Sequence, residues 1–411
     1  MTASIILFYL LASLLIFLSY KSFRGGITYI NFFKDEFSKP KSEFTPFASV
    51  IVPCRGLDDG LEKNLSTLFL QDYPDFEVIF VVDDAEDPSV EVIKEVSRKA
   101  AKGAKVVIAG KAIKSSQKVE NLREAVLHVS GDSKVFIFMD SDARPNAEWL
   151  RNLVAPLEDE NIGASTGYRW FIAEKPTFAS ELLSVWNASI ASALGPNTES
   201  NFCWGGSMAI RRDVFESLGM RERWSGTLSD DFIVTRAMNE ANLPIQFVPQ
   251  ALTASFGNCS FRELLEFTTR QMKITRVYAP KLFIMSFFGS GLFNAVMLWA
   301  FYTVIFSPTN TLFFGTATAT IVLVSFFSIG KSWLRLKAVR IALPEHQTLL
   351  KLQFWTQNTL WILTPAVFFY NSIVAVVSGN ILWRGTGYEM ISANETRVID
   401  GRKIISTGKK P

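Results

Sequence analysis

The apolar positions of this chain follow two patterns. Near both ends they form long uncharged runs, whereas residues 48–140 hold short apolar runs separated by polar stretches. The first long run, residues 3–20, is uncharged and just long enough to span a bilayer. No basic segment precedes it and no A-x-A-like site follows it, so it reads as an anchor rather than a cleaved signal peptide. Lys21 and Arg24 come directly after it, which places residue 21 onward on the cytoplasmic side. A polar stretch with Lys34, Lys39, Pro40 and Lys41 then reads as a juxtamembrane linker.

The short runs at 48–54, 76–84, 104–110 and 135–139 predict buried strands, and 61–70, 90–101 and 117–129 predict helices between them. Strands alternating with helices imply an α/β domain with a mostly parallel, doubly wound, Rossmann-like sheet. After residue 146 the pattern is mixed. Strands are expected at 162–170, within 201–212 and at 245–254, and helices at 228–243 and 262–278. Residues 178–194 are apolar on one side and are expected against the membrane surface.

Two further runs, 282–306 and 311–329, are long enough to span, with a tight turn at 307–310. Lys331, Arg335, Lys337 and Arg340 mark the cytoplasmic end of the second. A third run, 360–377, is interrupted by Pro365 and by Asn371-Ser372, and the polar tail from Trp383 carries Arg384, Arg397, Arg402 and Lys403. Three full spans would leave that tail outside, while its charges favour the inside. Either the last segment is re-entrant or one run lies in the interface.

Composition agrees with this division: 48% of the 411 residues are hydrophobic and 35 are Phe. A net charge of +3 gives no reason to expect a nucleic-acid partner. Cys54, Cys203 and Cys259 are scattered and form no CxxC pair, so neither a zinc site nor a disulfide framework is expected. His128 and His346 stand alone, which disfavours a histidine metal site or triad.

The candidate chemistry lies at strand ends. The 135–139 run stops at Asp140-Ser141-Asp142, which puts two carboxylates at the lip of a parallel sheet, where ligands of open α/β sheets bind. Hard oxygen ligands so close together suit Mg²⁺ or Mn²⁺.

An ordered set of motifs resembles family 2-type glycosyltransferases with a GT-A fold, and within them the ceramide glucosyltransferase and hopanoid-glycosyltransferase-like group. The set comprises VIVPCRG at 50–56, Asp83-Asp84, KSSQKVENL at 114–122, Asp140-Ser141-Asp142, Ser229-Asp230-Asp231-Phe232, Arg270-Gln271-Met272-Lys273-Ile274 and Trp383-Arg384-Gly385-Thr386-Gly387-Tyr388. By this resemblance Pro53 and Arg55 contact the donor, and Asp84 accepts from the uracil N–H. Asp83, pointing to the other face of the sheet, is the alternative. Lys118, Arg270, Lys273 and Arg384 face the donor phosphates, Asp140 and Asp142 hold the metal and donor, and Asp231 is the general base. Glu120, Asp230, Lys273 and Ile274 depart from the family pattern, and Ile274 in place of Trp argues against a processive polysaccharide synthase.

The expected layout is an anchor at 1–24, a linker at 25–46, a cytosol-facing GT-A domain at 47–280, membrane or interfacial helices at 281–382 and a tail at 383–411. The expected reaction moves a single sugar, glucose by the resemblance, from a UDP-sugar to a membrane-lipid hydroxyl with inversion. A polysaccharide synthase and a non-catalytic membrane scaffold are the alternatives.

Overall fold

The computed structural model describes residues 3–100, 103–307 and 310–400. Its first element, α1 (Ala3–Phe37), is a single 35-residue helix. The stretch read as a linker therefore remains helical to Phe37. The cause is packing: Tyr29, Ile30, Phe32 and Phe33 are buried against the catalytic core, with Phe32 and Phe33 near Phe247. A core contact overrides the polar composition of the segment.

Next come β1 (Ala48–Pro53), α2 (Leu61–Ser66), β2 (Phe76–Val82), α3 (Ser89–Lys99), β3 (Ala104–Ile108), α4 (Gln117–Ala125) and β4 (Val135–Met139). The β1–β2, β2–β3 and β1–β4 pairs are parallel. Their side chains alternate between two cores. Val50, Val52, Val78, Phe80, Val135 and Ile137 enter the core that also receives α1, whereas Ile51, Ile79, Val81, Phe136 and Phe138 enter the other. Both faces are covered, so these strands read as continuous apolar runs.

The second half adds β5 (Ala143–Arg144), α5 (Trp149–Val154), β6 (Ala164–Ile172), α6 (Phe178–Ala191), β7 (Ser207–Arg211), α7 (Arg212–Ser217), α8 (Met220–Arg223), α9 (Asp230–Glu240), β8 (Ile245–Phe256) and α10 (Phe261–Tyr278). The eight-stranded sheet runs β3-β2-β1-β4-β7-β6-β8-β5. It is mixed, because β7 is antiparallel to both β4 and β6, and β6 is thereby parallel to β4. The carboxyl ends of β4 and β6 and the start of β7 thus share one lip, the arrangement expected of a GT-A domain. The position of α6 differs from expectation. Trp186, Asn187 and Ala188 are buried among β6, α10 and the C-terminal helices, so α6 belongs to the interior and not to a surface.

Then α11 (Pro280–Phe306) and α12 (Thr311–Ala342) form, with α1, three helices long and apolar enough to cross a membrane. Two residues of the expected turn between them, 308 and 309, lie outside the described residues, as do Arg402 and Lys403. The last apolar run is broken: the segment containing α13 (Gln347–Thr359) meets α14 (Thr364–Val377) at a 57° bend. On α13 the polar Gln353 and Gln357 face inward, accepting from Trp170 Nε1 at 2.8 Å and from Arg335 at 3.2 Å, while Leu352 and Trp355 face out.

The polar tail, with the residues just before it, forms a three-stranded antiparallel sheet of β9 (Asn380–Trp383), β10 (Thr386–Ser392) and β11 (Glu395–Ile399). Its Ile381, Tyr388 and Met390 pack on Leu228 and Ile274. The tail therefore lies on the catalytic side, and the broken α13–α14 segment returns to the side it left.

Candidate active site

The lip of the sheet opens into a cavity of about 1080 Å³. Asp140 and Asp142 are placed there by the end of β4, where Ala143 N–H donates to Asp140 C=O and closes the turn. Ser141 points away and donates to Asp58 Oδ2 at 2.7 Å. Lys118 stands in the first turn of α4, whose start is fixed by Ser116 accepting from Val119 N–H. Its Nζ bridges Asp140 Oδ1 at 2.7 Å and Asp230 Oδ2 at 3.2 Å.

This placement sets the protonation of the cluster. Burial would raise the Asp140 carboxyl, but Lys118 outweighs it and holds Asp140 below the usual carboxylate range. Asp142 has no such partner: burial and the neighbouring Asp140 charge push it up. Its Oδ1 is buried with no hydrogen-bond partner among the described residues, and Oδ2 meets Arg169 at 3.8 Å. An unpartnered carboxylate oxygen beside a second carboxylate fits a divalent cation, which such sites hold with one or two carboxylates plus substrate oxygens. Among the described residues no cluster of three or more His, Cys, Asp or Glu could supply a complete protein cage.

Asp230 and Asp231 open α9 but face differently. Asp230 is buried against Lys118 and the backbone of Gly205, where a side chain on Gly205 would collide with its carboxylate. Burial pushes Asp230 up to about 6. Both residues line the cavity, Asp231 with the freer carboxylate. Its Oδ1 accepts from Ser229 Oγ at 2.5 Å and from Phe232 N–H at 2.8 Å, while Oδ2 receives only a long 3.3 Å contact from Gly205 N–H.

Arg270 and Arg384 also line the cavity. Arg270 lies over the Phe267 and Trp383 rings, and its pKa is lowered to about 10 by burial and by the Arg169 and Arg384 charges. Arg384 sits with Gly385 in a two-residue hairpin turn, both at positive φ (47° and 78°). This turn aims the Arg384 guanidinium at Asp58 Oδ1, 2.5 Å away, and at Arg55 C=O. Pro53 and Arg55 line the cavity at the end of β1, and Arg55 donates to Thr386 Oγ1 at 2.9 Å.

Two residues expected at the donor lie elsewhere. Lys273 turns away from the cavity and donates to Asn380 C=O at 2.7 Å in the C-terminal sheet. Asp84 is 47% exposed and paired with Lys111, also outside the cavity lining. Asp83, the alternative, is 1% exposed and pairs with Arg55 at 3.6 Å. Sequence reading passed over Asp58, Arg169 and Trp204. Arg169 did carry a signal, as the one charged residue of β6.

A family model for glycosyl transferase family 21 matches residues 9–396. Ceramide glucosyltransferase 1 of Caenorhabditis elegans is 31% identical over 203 residues, which cover 47% of this chain and 42% of that protein. Ceramide glucosyltransferase 3 of the same organism is 20% identical over 261 residues, 62% of this chain and 56% of that protein. The chain thus spans about half the length of the curated relatives it matches. Among solved structures, mannosyltransferase PcManGT from Pyrobaculum calidifontis, in complex with GDP-Man and Mn²⁺, aligns with a TM-score of 0.47 at 16% identity, over 89% of this chain and 99% of that one.

Proposed function

The chain belongs to glycosyl transferase family 21, and on that premise we propose that it transfers one sugar, glucose, from a UDP-sugar to the hydroxyl of a ceramide-like or hopanoid-like membrane lipid, with inversion. The observation that carries this reading is that two sets of side chains line the one cavity. Asp140, Asp142, Lys118, Arg169, Arg270 and Arg384 make up a charged set, and Trp186, Ile190, Phe202, Leu282 and Phe368 an apolar one. A nucleoside diphosphate matches the first. The second reaches the start of α11, the point at which that helix becomes apolar enough to enter a bilayer, and so suits a lipid acceptor.

The donor lies across the lip, with its nucleotide toward Pro53 and Arg55 at the end of β1. Asp140 and Asp142 would hold Mg²⁺ or Mn²⁺, which would supply charge stabilisation for the departing diphosphate. Arg270 and Arg384 add fixed positive charge. Asp231 takes the proton of the attacking hydroxyl through Oδ2, the oxygen with only a long hydrogen bond. The acceptor oxygen bonds to the anomeric carbon from the face opposite the diphosphate. The sugar–phosphate bond breaks, its electron pair leaves with UDP, and the configuration inverts.

Lys21 and Arg24, directly after the first apolar run, support a catalytic domain that faces the cytoplasm. Mass spectrometry of lipids from cells expressing the chain, together with UDP release from the purified protein, tests the reading. The expected result is a lipid heavier by one hexose. A polymer product would support the polysaccharide-synthase alternative, and UDP release absent in the presence of Mn²⁺ and lipid would support a scaffold.

A further inference from the structure

We propose that Arg169, on β6, is the residue that neutralises the outer phosphate of the departing nucleotide, in place of Lys273, which the motif resemblance put among the residues facing the donor phosphates. The proposal rests on the nucleotide-donor reading of the cavity. Its first support is a vacancy in the motif: Lys273 is committed to the Asn380 carbonyl and does not line the cavity. Its second is the state of Arg169. The side chain is only 11% exposed, yet its charge meets a single carboxylate at 3.8 Å, and its Nε has no hydrogen-bond partner among the described residues. A buried guanidinium so poorly satisfied is costly unless a ligand completes its hydrogen bonds.

The surroundings hold Arg169 in place. Its Cζ lies 4.9, 5.3 and 5.2 Å from the ring centroids of Phe171, Trp204 and Phe267. Arg270 lies 5.2 Å from the same Phe267 ring. Two guanidiniums thus share one aromatic ring and repel each other, and an anion reaching both relieves that repulsion. Sheet order selects which anion. β6 is separated from β1, where the nucleotide begins, by β4 and β7. In strand order Asp140, at the end of β4, comes between Arg55 after β1 and Arg169 on β6, which puts Arg169 toward the far end of a diphosphate running along the lip.

The test compares UDP with UMP, which lacks the outer phosphate, by calorimetry on the purified full-length chain with Mn²⁺. Arg169→Met is expected to weaken UDP binding by roughly ten- to a hundredfold and UMP binding by less than about threefold. Lys273→Met should change neither. Arg169→Lys, which keeps the charge, should recover part of the UDP affinity and fold with the parent's thermal midpoint. Equal weakening of UDP and UMP would assign Arg169 a structural role and overturn the proposal. So would unchanged UDP binding alongside weakened UDP-sugar binding, which would place Arg169 on the sugar. A parent chain that binds neither nucleotide would instead overturn the donor reading on which the proposal stands.

Discussion

Lys118 Nζ lies 2.7 Å from Asp140 Oδ1, so the first carboxylate of the Asp-Ser-Asp turn is held by an internal cation before any ligand arrives. The same ammonium reaches Asp230 at 3.2 Å and ties the start of α9 to the end of β4. Lys118→Met would leave Asp140, Asp142 and Asp230 facing one another with that charge removed. We expect a loss of about 3 kcal/mol, seen as a lower thermal midpoint in detergent, and partial recovery on adding Mn²⁺. A variant as stable as the parent would mean that the bridge does not hold the site together.

Asp142 makes the opposite case. Its carboxylate is raised by burial and by Asp140, and one oxygen has no partner among the described residues, so its charge opposes folding. Asp142→Asn should therefore leave the thermal midpoint unchanged or raise it, while turnover falls at least about a hundredfold and no longer responds to Mn²⁺. Activity that survives both this substitution and chelation would refute the metal role.

Asp231→Asn is expected to abolish transfer to lipid while UDP binding persists, because it removes the acceptor for the hydroxyl proton. Asp230→Asn should retain measurable transfer with weaker donor binding, because Asp230 reaches the donor side through Lys118. Labelled-lipid product and UDP affinity, measured on both variants, separate these roles. The reverse outcome would shift the base by one residue.

The pH dependence follows from Asp230. Its folded value is raised to about 6 from the ordinary aspartate value of 3.8, chiefly by burial. The folded state thus holds this proton more tightly than the unfolded chain. The stabilisation linked to that proton is full below about 3.8 and is lost as pH rises through about 6. A plot of thermal midpoint against pH should therefore lose part of its slope between about 4 and 6 in Asp230→Asn. An identical slope in parent and variant would show that Asp230 does not titrate in that window.

The C-terminal sheet makes topology testable. Tyr388 Oη accepts from Gln117 N–H at 3.1 Å, so the tail and the catalytic domain share one side. In a background with Cys259 replaced, cysteines introduced at Lys94 and Glu395 should react with an impermeant maleimide from the cytoplasmic side only, and one at Asn310 from the opposite side only. Labelling of Lys94 and Glu395 from different sides would break this account.

The chain's own pattern determined the elements whose environment is uniform. Apolar runs such as 50–52 and 135–139 lie in strands covered on both faces, and the runs in α11 and α12 are long and apolar enough to cross a membrane. The paired acids at 140 and 142 were legible for a related reason: a strand end leaves few directions for a side chain. Tertiary structure decided what depends on distant partners. The polar stretch at 25–37 is helical because Tyr29 and Phe33 find a core more than a hundred residues away in sequence. Helix α6 is interior because its polar residues meet the inward-facing glutamines of α13, as in the 3.1 Å bond from Gln357 to Ser184. Lys273 and Arg169 are both basic residues near aromatic ones, and no local spacing distinguishes them. Only the packing of α10 against the C-terminal sheet turns Lys273 outward, and only the placement of β6 parallel to β4 brings Arg169 beside Asp142.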